Sequence, residues 1–332
     1  MSTERLCSVM ERELALEFAR VTEAAAISSA RWWGRGDKNN ADGAAVEAMR
    51  AMFDTVNIDG TVVIGEGEMD EAPMLYIGEK VGTGQHVQVD VAVDPLEGTN
   101  LVAKGLMGAI AVLAVAPKNC LLHAPDMYME KIAAGPAAVG KISLDATVTE
   151  NVKAVAKSLD KEVEDVTVVV LDRERHATII EELRRIGARI KLITDGDVSP
   201  VVATSIPGSG VDMVIGIGGA PEGVLAAAAQ RCTGGELQGR LWPTKKQDIE
   251  RAHKLGVIDT KKILTLDDLV KGDDVVFAAT GITDGDFLKG VRYYGNYVTT
   301  HTVVMRGASG TIRFLEARHR IDKKTQYTRR AL

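Results

Sequence analysis

Apolar residues recur at helical spacing from Glu11 to Trp33. Leu14, Leu16, Phe18, Val21, Ala24, Ala25 and Ile27 alternate with Glu and Arg, which predicts one amphipathic helix. The segment Gly34-Arg35-Gly36-Asp37-Lys38 ends it, and a second helix is predicted over Asp42–Asp54 with Asp42 at or near its N-cap. Strands follow at Thr61–Ile64, His86–Asp94 and Ala109–Ala116. In the middle one Val87, Val89, Val91 and Val93 occupy every second position, the period of a strand, and the run ends on Asp94.

The pattern changes near residue 165. Val166–Leu171 reads as a buried strand, His176–Gly187 as a helix, Arg189–Ile193 as a strand, Val198–Ser205 as a short helix, Val211–Ile215 as a strand and Glu222–Cys232 as a helix. That alternation predicts right-handed crossovers and a parallel sheet. Strands at Val275–Ala279, Tyr297–Met305 and Thr311–Leu315 would make this sheet mixed. The expected fold class is α/β, an α+β N-terminal region followed by a mixed, largely parallel α/β region. The expected division is residues 1–160 as a metal-binding domain and 161–332 as a substrate-binding domain.

Composition narrows the function classes. The net charge of −6 in 332 residues is spread along the chain, with no basic domain of the kind nucleic-acid binders carry. Cys7, Cys120 and Cys232 form no CxxC pair, so neither a disulfide framework nor a zinc knuckle is indicated. The first twenty residues hold several charges and no apolar core of a signal peptide, and the most apolar stretch, Gly108 to Pro117, is about half of what a membrane span needs. A cytoplasmic protein without a membrane segment is expected. Six Lys or Arg against one Asp in the last fifteen residues read as a solvated tail. Glycine, at 33 residues, exceeds the usual share of about 7% and points to tight turns or close backbone approach to ligands.

Two acidic segments carry the main chemical signal. Gly65-Glu66-Gly67-Glu68-Met69-Asp70-Glu71 follows one strand, and Asp94-Pro95-Leu96-Glu97-Gly98-Thr99 ends another. Either alone resembles a solvated acidic turn. Together at neighbouring strand ends they can converge on a hard divalent cation, since Mg²⁺ and Mn²⁺ favour oxygen ligands and crowded carboxylates repel one another without a cation.

In the C-terminal half, Asp172-Arg173-Glu174-Arg175-His176, Asp195-Gly196-Asp197 and Gly216-Ile217-Gly218-Gly219-Ala220-Pro221-Glu222-Gly223 follow three predicted parallel strands, so all three face one sheet edge. The arginines suit a phosphate, the aspartates suit sugar hydroxyls, and glycines opening a helix offer backbone N–H groups to an anion. Those glycines also serve a plain strand-to-helix turn. The Gly216-x-Gly218 stretch fails as a dinucleotide fingerprint because Pro221 occupies the third glycine slot. Asp195-Gly196-Asp197 after an apolar strand also resembles the nucleophile motif of haloacid-dehalogenase phosphatases, a reading that leaves the acids of residues 66–97 unused.

Taken in order, Gly34–Asn39 with Ala41-Asp42-Gly43, Val63–Glu68 with Asp70–Tyr76, Asp94–Thr99, Ala124–Met129, Asp195–Val198 and Gly218–Gly223 closely resemble the class II fructose-1,6-bisphosphatases, from about Glu13 to about His319. The resemblance implies a layered sugar-phosphatase fold of the lithium-sensitive, metal-dependent superfamily. It implies removal of the 1-phosphate of fructose 1,6-bisphosphate, a gluconeogenic step, with sedoheptulose 1,7-bisphosphate a second substrate in some members. By position, Asp42 and Glu66 resemble ligands of one Mn²⁺ or Mg²⁺, and Asp94, Glu97 and Glu222 ligands of another. Glu97, Gly98, Thr99, Tyr128, Arg173, Glu174, Arg175, Asp195, Gly196, Asp197 and Gly219 resemble substrate-binding positions, and Lys38, Asp70 and Thr99 catalytic ones. Asp70 would act on the attacking water through the Thr99 hydroxyl. A homo-oligomer, dimer or tetramer, is implied as well, with no nucleic-acid or membrane partner.

The sequence departs from the family pattern at Glu174, where Pro is usual between the arginines, and at Pro200. A carboxylate beside phosphate-binding arginines is expected to lower substrate affinity. From a different class, a catalytically silent sugar-phosphate sensor would keep the fold without turnover, although binding alone needs fewer metal-ligating acids.

Overall fold

The computed structural model describes Met10 and residues 13–67, 74–257 and 259–323. Among them, helices α1 (Leu14–Ala30) and α2 (Lys38–Phe53) precede strands β1 (Asp59–Ile64), β2 (Lys80–Val81) and β3 (Gln88–Glu97). Helix α3 (Thr99–Lys104), strands β4 (Ile110–Pro117) and β5 (Tyr128–Ala134), and helix α4 (Val148–Leu159) follow. Next come β6 (Thr167–Leu171), α5 (Ala177–Ile186), β7 (Arg189–Ile193), α6 (Val198–Ala203), β8 (Met213–Gly219), α7 (Ala220–Thr233) and β9 (Glu236–Trp242). Helices α8 (Lys246–Lys254) and α9 (Leu266–Leu269) lead to β10 (Val276–Gly281), β11 (Arg292–Tyr294), β12 (Tyr297–Arg306) and β13 (Thr311–Arg320).

The α/β class holds, and the described residues form two sheets, both mixed. The first runs β11-β12-β10-β4-β3-β1-β2 with β13 on the outer side of β12, and the second runs β7-β6-β8-β5-β9. The late strands belong to the first sheet: β10 lies antiparallel to both β4 and β12. In the second sheet β6 is parallel to β7 and β8, as the crossover pattern predicts, while β5 and β9 add antiparallel pairs. The chain therefore changes sheet between β4 and β5 and returns between β9 and β10. The break in periodicity near residue 165 falls within the second sheet's stretch.

Period-2 side chains sort the layers. Val89, Val91 and Val93 of β3 and Ala111, Leu113 and Val115 of β4 pack with α1 and α2 on one face of the first sheet. Ala92, Val112 and Ala114 face the other way, where α6 and α7 are sandwiched against Met129, Ala133 and Val169 of the second sheet. The far face of the second sheet, with Ile132, Val168 and Val170, is covered by α4 and α5. The order is helices, sheet, helices, sheet, helices, and each sheet strand buried on both sides reads as a near-continuous apolar run.

Local differences from expectation have local causes. Helix α2 starts four residues before Asp42 because Asp37 is its N-cap, accepting the Asn40 N–H at 3.0 Å. Asp42 therefore lies one turn inside the helix. Strand β3 continues past Asp94 to Glu97 through a register shift against β4, and β13 extends to Arg320 because β12 pairs with it along its whole length.

Candidate active site

The parallel pairing of β1 with β3 sets their C-terminal ends side by side. Between Asp94 and Glu97, β3 advances three residues while β4 advances two, from Val112 to Ile110. This bulge contains Pro95, which has no N–H to lose from the ladder. Residues three apart on a regular strand face opposite ways; the bulge turns Glu97 onto the side of Asp94. Gly98, at φ +88°, then reverses the chain into α3 in a conformation that side chains rarely adopt.

Glu222 reaches the same place from the first turn of α7. Carboxylate oxygens of Asp94, Glu97 and Glu222 lie within 4.8 Å of one another. They open into a cavity of about 340 Å³ also lined by Asp42, Glu66, Gly98, Thr99, Asp126 and Asp195. Unit charges at that spacing repel by about 3.5 kcal/mol or more at an effective dielectric near 20. Burial, reinforced by the neighbouring acids, holds the Asp94 and Glu97 carboxyls well above the carboxylate range and pushes Glu66 up to about 8. Burial raises Asp42 and Glu222 as well, the latter against the pull of Lys131.

Some of these oxygens are held by the protein. The Leu96 N–H donates to Asp94 at 3.0 Å, and the Val198 N–H donates to Glu97 at 3.1 Å, tying the first sheet to α6. Glu222 Oε2 is fully buried and has no hydrogen-bond partner among the described residues. An unpartnered buried carboxylate oxygen facing two more is the donor set of a hard divalent cation, and the residues fit one.

A second cavity, of about 210 Å³, adjoins the first and shares Glu97, Asp195 and Glu222 with it. Its walls add Tyr128, Arg173, Arg175, Gly196, Asp197, Gly218 and Gly219. Arg175 stacks 4.8 Å from the Tyr128 ring centroid and donates to the Ile217 carbonyl at 2.8 Å. Arg173 donates to the Asp172 and Thr194 carbonyls at 3.0 and 2.6 Å. Among the described residues both guanidiniums are thus fixed by backbone acceptors rather than paired with acids, which leaves them available to an anion. Asn100 donates at 3.0 Å to Asp195, which lines both cavities.

Two comparisons with known proteins bear on this geometry. The family model of the bacterial, glpX-encoded fructose-1,6-bisphosphatases matches residues 12–319. The chain belongs to that family. It is 50% identical over 328 residues, 95% of this chain and 97% of the relative, to fructose-1,6-bisphosphatase 1 class 2 of Escherichia coli strain K12. The class 2 enzyme of Shigella flexneri matches to the same extent.

In this fructose-1,6-bisphosphatase family member, the structure brings Asp42, Glu66, Asp94, Glu97, Glu222, Gly98 and Thr99 to one cavity and Tyr128, Arg173, Arg175, Asp195, Gly196, Asp197 and Gly219 to the other. Lys38 is exposed on the first turn of α2 and Glu174 is exposed between the arginines; neither lines a cavity. Asp70, with Glu68 and Glu71, lies outside the described residues.

Two buried polar residues stand behind the walls: His176, which the sequence offered only as the end of the Asp172–His176 loop, and Lys131, which it did not single out. His176 shows its Nδ1 to the Leu171 carbonyl at 2.7 Å, while its Nε2 accepts the Ile217 N–H at 2.7 Å. That assigns the neutral ring with the proton on Nδ1, consistent with burial lowering its pKa. Lys131, 4% exposed in the middle of β5, makes a 2.6 Å ion pair with Asp197. Its signal was a lone cation inside the run Met129 to Ala134, in a strand the periodicity did not reveal.

Proposed function

We propose that this protein hydrolyses the 1-phosphate of fructose 1,6-bisphosphate, giving fructose 6-phosphate and inorganic phosphate, with Mn²⁺ or Mg²⁺ as the cofactor. The observation that carries the reading is the abutting pair of cavities: buried acids in one that make no ion pair among the described residues, two backbone-fixed arginines in the other. A sugar with a phosphate at each end matches both.

Asp94, Glu97 and Glu222 would hold one cation, with Asp42 and Glu66 facing a second position. When bound, such an ion supplies Lewis-acid polarisation and an acidified water. The chain's own groups do the rest. Arg173 and Arg175 grip the phosphate that stays, Tyr128 shields it, and Asp195 and Asp197 hold sugar hydroxyls, so the ester to be cleaved is positioned before reaction. Thr99, whose hydroxyl donates to the Leu96 carbonyl at 3.2 Å, sits at the mouth of the acid cluster. In this reading it relays a proton from the attacking water to Asp70. Lys38, on the same face of α2 as Asp42, one turn away, would complete the catalytic set.

Membrane-free cytoplasmic location and homo-oligomerisation complete the reading. Among the described residues no helix is long and apolar enough to cross a membrane. The test is phosphate release from fructose 1,6-bisphosphate with Mn²⁺, Mg²⁺ or neither, alongside sedoheptulose 1,7-bisphosphate and inositol monophosphate. Cation-dependent release from the bisphosphates, with inositol monophosphate far slower for want of a second phosphate, is expected. Ligand binding without turnover under every condition would leave a sugar-phosphate sensor.

A further inference from the structure

Lys131 is the most deeply buried lysine near the site, and the surrounding sequence makes room for it. Directly across β5, its two cross-strand neighbours are Gly216 on β8 and Gly239 on β9. A Cβ on Gly218 would stand 2.9 Å from its ammonium, and one on Gly223 of α7 would stand 3.3 Å from its Cδ. Gly218 and Gly223, on two different elements, thus border the lysine side chain, and Gly216 and Gly239 flank its backbone. The ammonium ends between Asp197, 2.6 Å away, and the Gly219 carbonyl, 3.0 Å away. Asp197 opens α6 on the sugar side; Gly219 joins β8 to the helix that carries Glu222 on the cation side. Lys131 lines neither of the two site cavities, so it touches no reacting atom.

We infer that Lys131 is a positioning residue serving both halves of the site: it fixes Asp197 and Gly219 for the sugar phosphate, and its positive charge moderates how tightly the Glu222 cluster holds a divalent cation. The inference rests on Glu222 being a cation ligand. Binding and affinity then move in opposite directions. Removing the ammonium frees Asp197 and loosens the sugar end, yet leaves the acid cluster more negative and more attractive to a cation. A merely structural lysine would weaken both.

The experiment compares K131M, K131R, D197N and the double variant K131M/D197N. Mn²⁺ binding is read from the loss of the free-ion EPR signal, and kcat and KM from phosphate release. Expected for K131M are a KM raised tenfold or more, a kcat within about threefold of wild type, and Mn²⁺ bound at least threefold more tightly. K131R, which keeps the charge, returns Mn²⁺ affinity to the wild-type value and KM part of the way. The double variant shows the KM of D197N alone, because Lys131 acts on substrate through Asp197. An unchanged KM, or weaker Mn²⁺ binding in K131M, overturns the inference. Should K131M not fold, the double variant, which leaves no buried charge unpaired, is compared with D197N: tighter Mn²⁺ binding supports the inference and equal or weaker binding overturns it. If the wild type itself binds no Mn²⁺, the reading of Glu222 fails instead, and the two failures are distinguishable.

Discussion

A methyl group on Gly219 would lie 1.8 Å from Oε2 of Glu222. The N-cap of α7 is therefore bare because the carboxylate three residues later folds back over it, into the acid cluster. Gly219→Ala should push Glu222 away from Asp94 and Glu97. Displacements near 1 Å at a reacting centre cost about 10²-fold in rate. The expected outcome is a kcat about 10²-fold lower with Mn²⁺ affinity at least tenfold weaker, measured by phosphate release and EPR titration. Unchanged Mn²⁺ binding would detach Glu222 from the cation.

Asp94→Asn replaces a carboxyl that burial and its acidic neighbours make costly to ionise with a neutral amide of the same shape. Without cation the variant should melt at least ~2 °C above wild type, since relief of about 1 kcal/mol shifts Tm by that order in a chain of this size. With Mn²⁺ the order should reverse, because only the wild type gains from binding. Phosphate release should fall below detection. Calorimetric scans with chelator and with Mn²⁺ check both signs.

The cation-free protein should lose stability as pH rises. Glu66 ionises near 4.5 in an open chain, and in the fold burial beside Asp42 and Glu222 moves it to about 8. Between those values the native carboxyl holds a proton that the unfolded chain has released. Stability is thus complete below about pH 4.5, falls by up to about 1.4 kcal/mol per pH unit for this group, and levels off above about 8. Saturating Mn²⁺ takes the proton's place and should flatten or invert the slope. Urea midpoints at pH 5, 6.5 and 8, with chelator and with Mn²⁺, measure it.

Asp195→Asn separates hydrolysis by activated water from a phospho-aspartate route. Asp195 is engaged by Asn100 at 3.0 Å and borders both cavities. The asparagine variant should keep turnover with a raised KM. Loss of all activity together with a trapped covalent phosphoenzyme in the wild type would favour Asp195 as nucleophile.

Much of the architecture was legible because burial leaves periodic traces. Val89, Val91 and Val93 predicted a strand and all three pack under α1 and α2. Pairing between distant segments leaves no such trace. β10 and β12 look like continuations of the second sheet in sequence, yet β4, more than 150 residues earlier, is the partner that takes β10. Strand β5 was invisible because it is buried on both faces and interrupted by Lys131, so it neither alternates nor reads as purely apolar. Among the site residues, acids at strand ends stood out by spacing. What sequence could not show was that a bulge at Pro95 turns Asp94 and Glu97 the same way, or that Glu222 arrives across the interface of the two sheets.

Anomalous diffraction at the manganese edge, from crystals grown with Mn²⁺, tests the central claim most directly. The account predicts a peak inside the triangle of Asp94, Glu97 and Glu222 carboxylates, with Oε2 of Glu222 among the coordinating atoms. Well-ordered carboxylates with no anomalous peak between them, or a peak held by other residues, would contradict it.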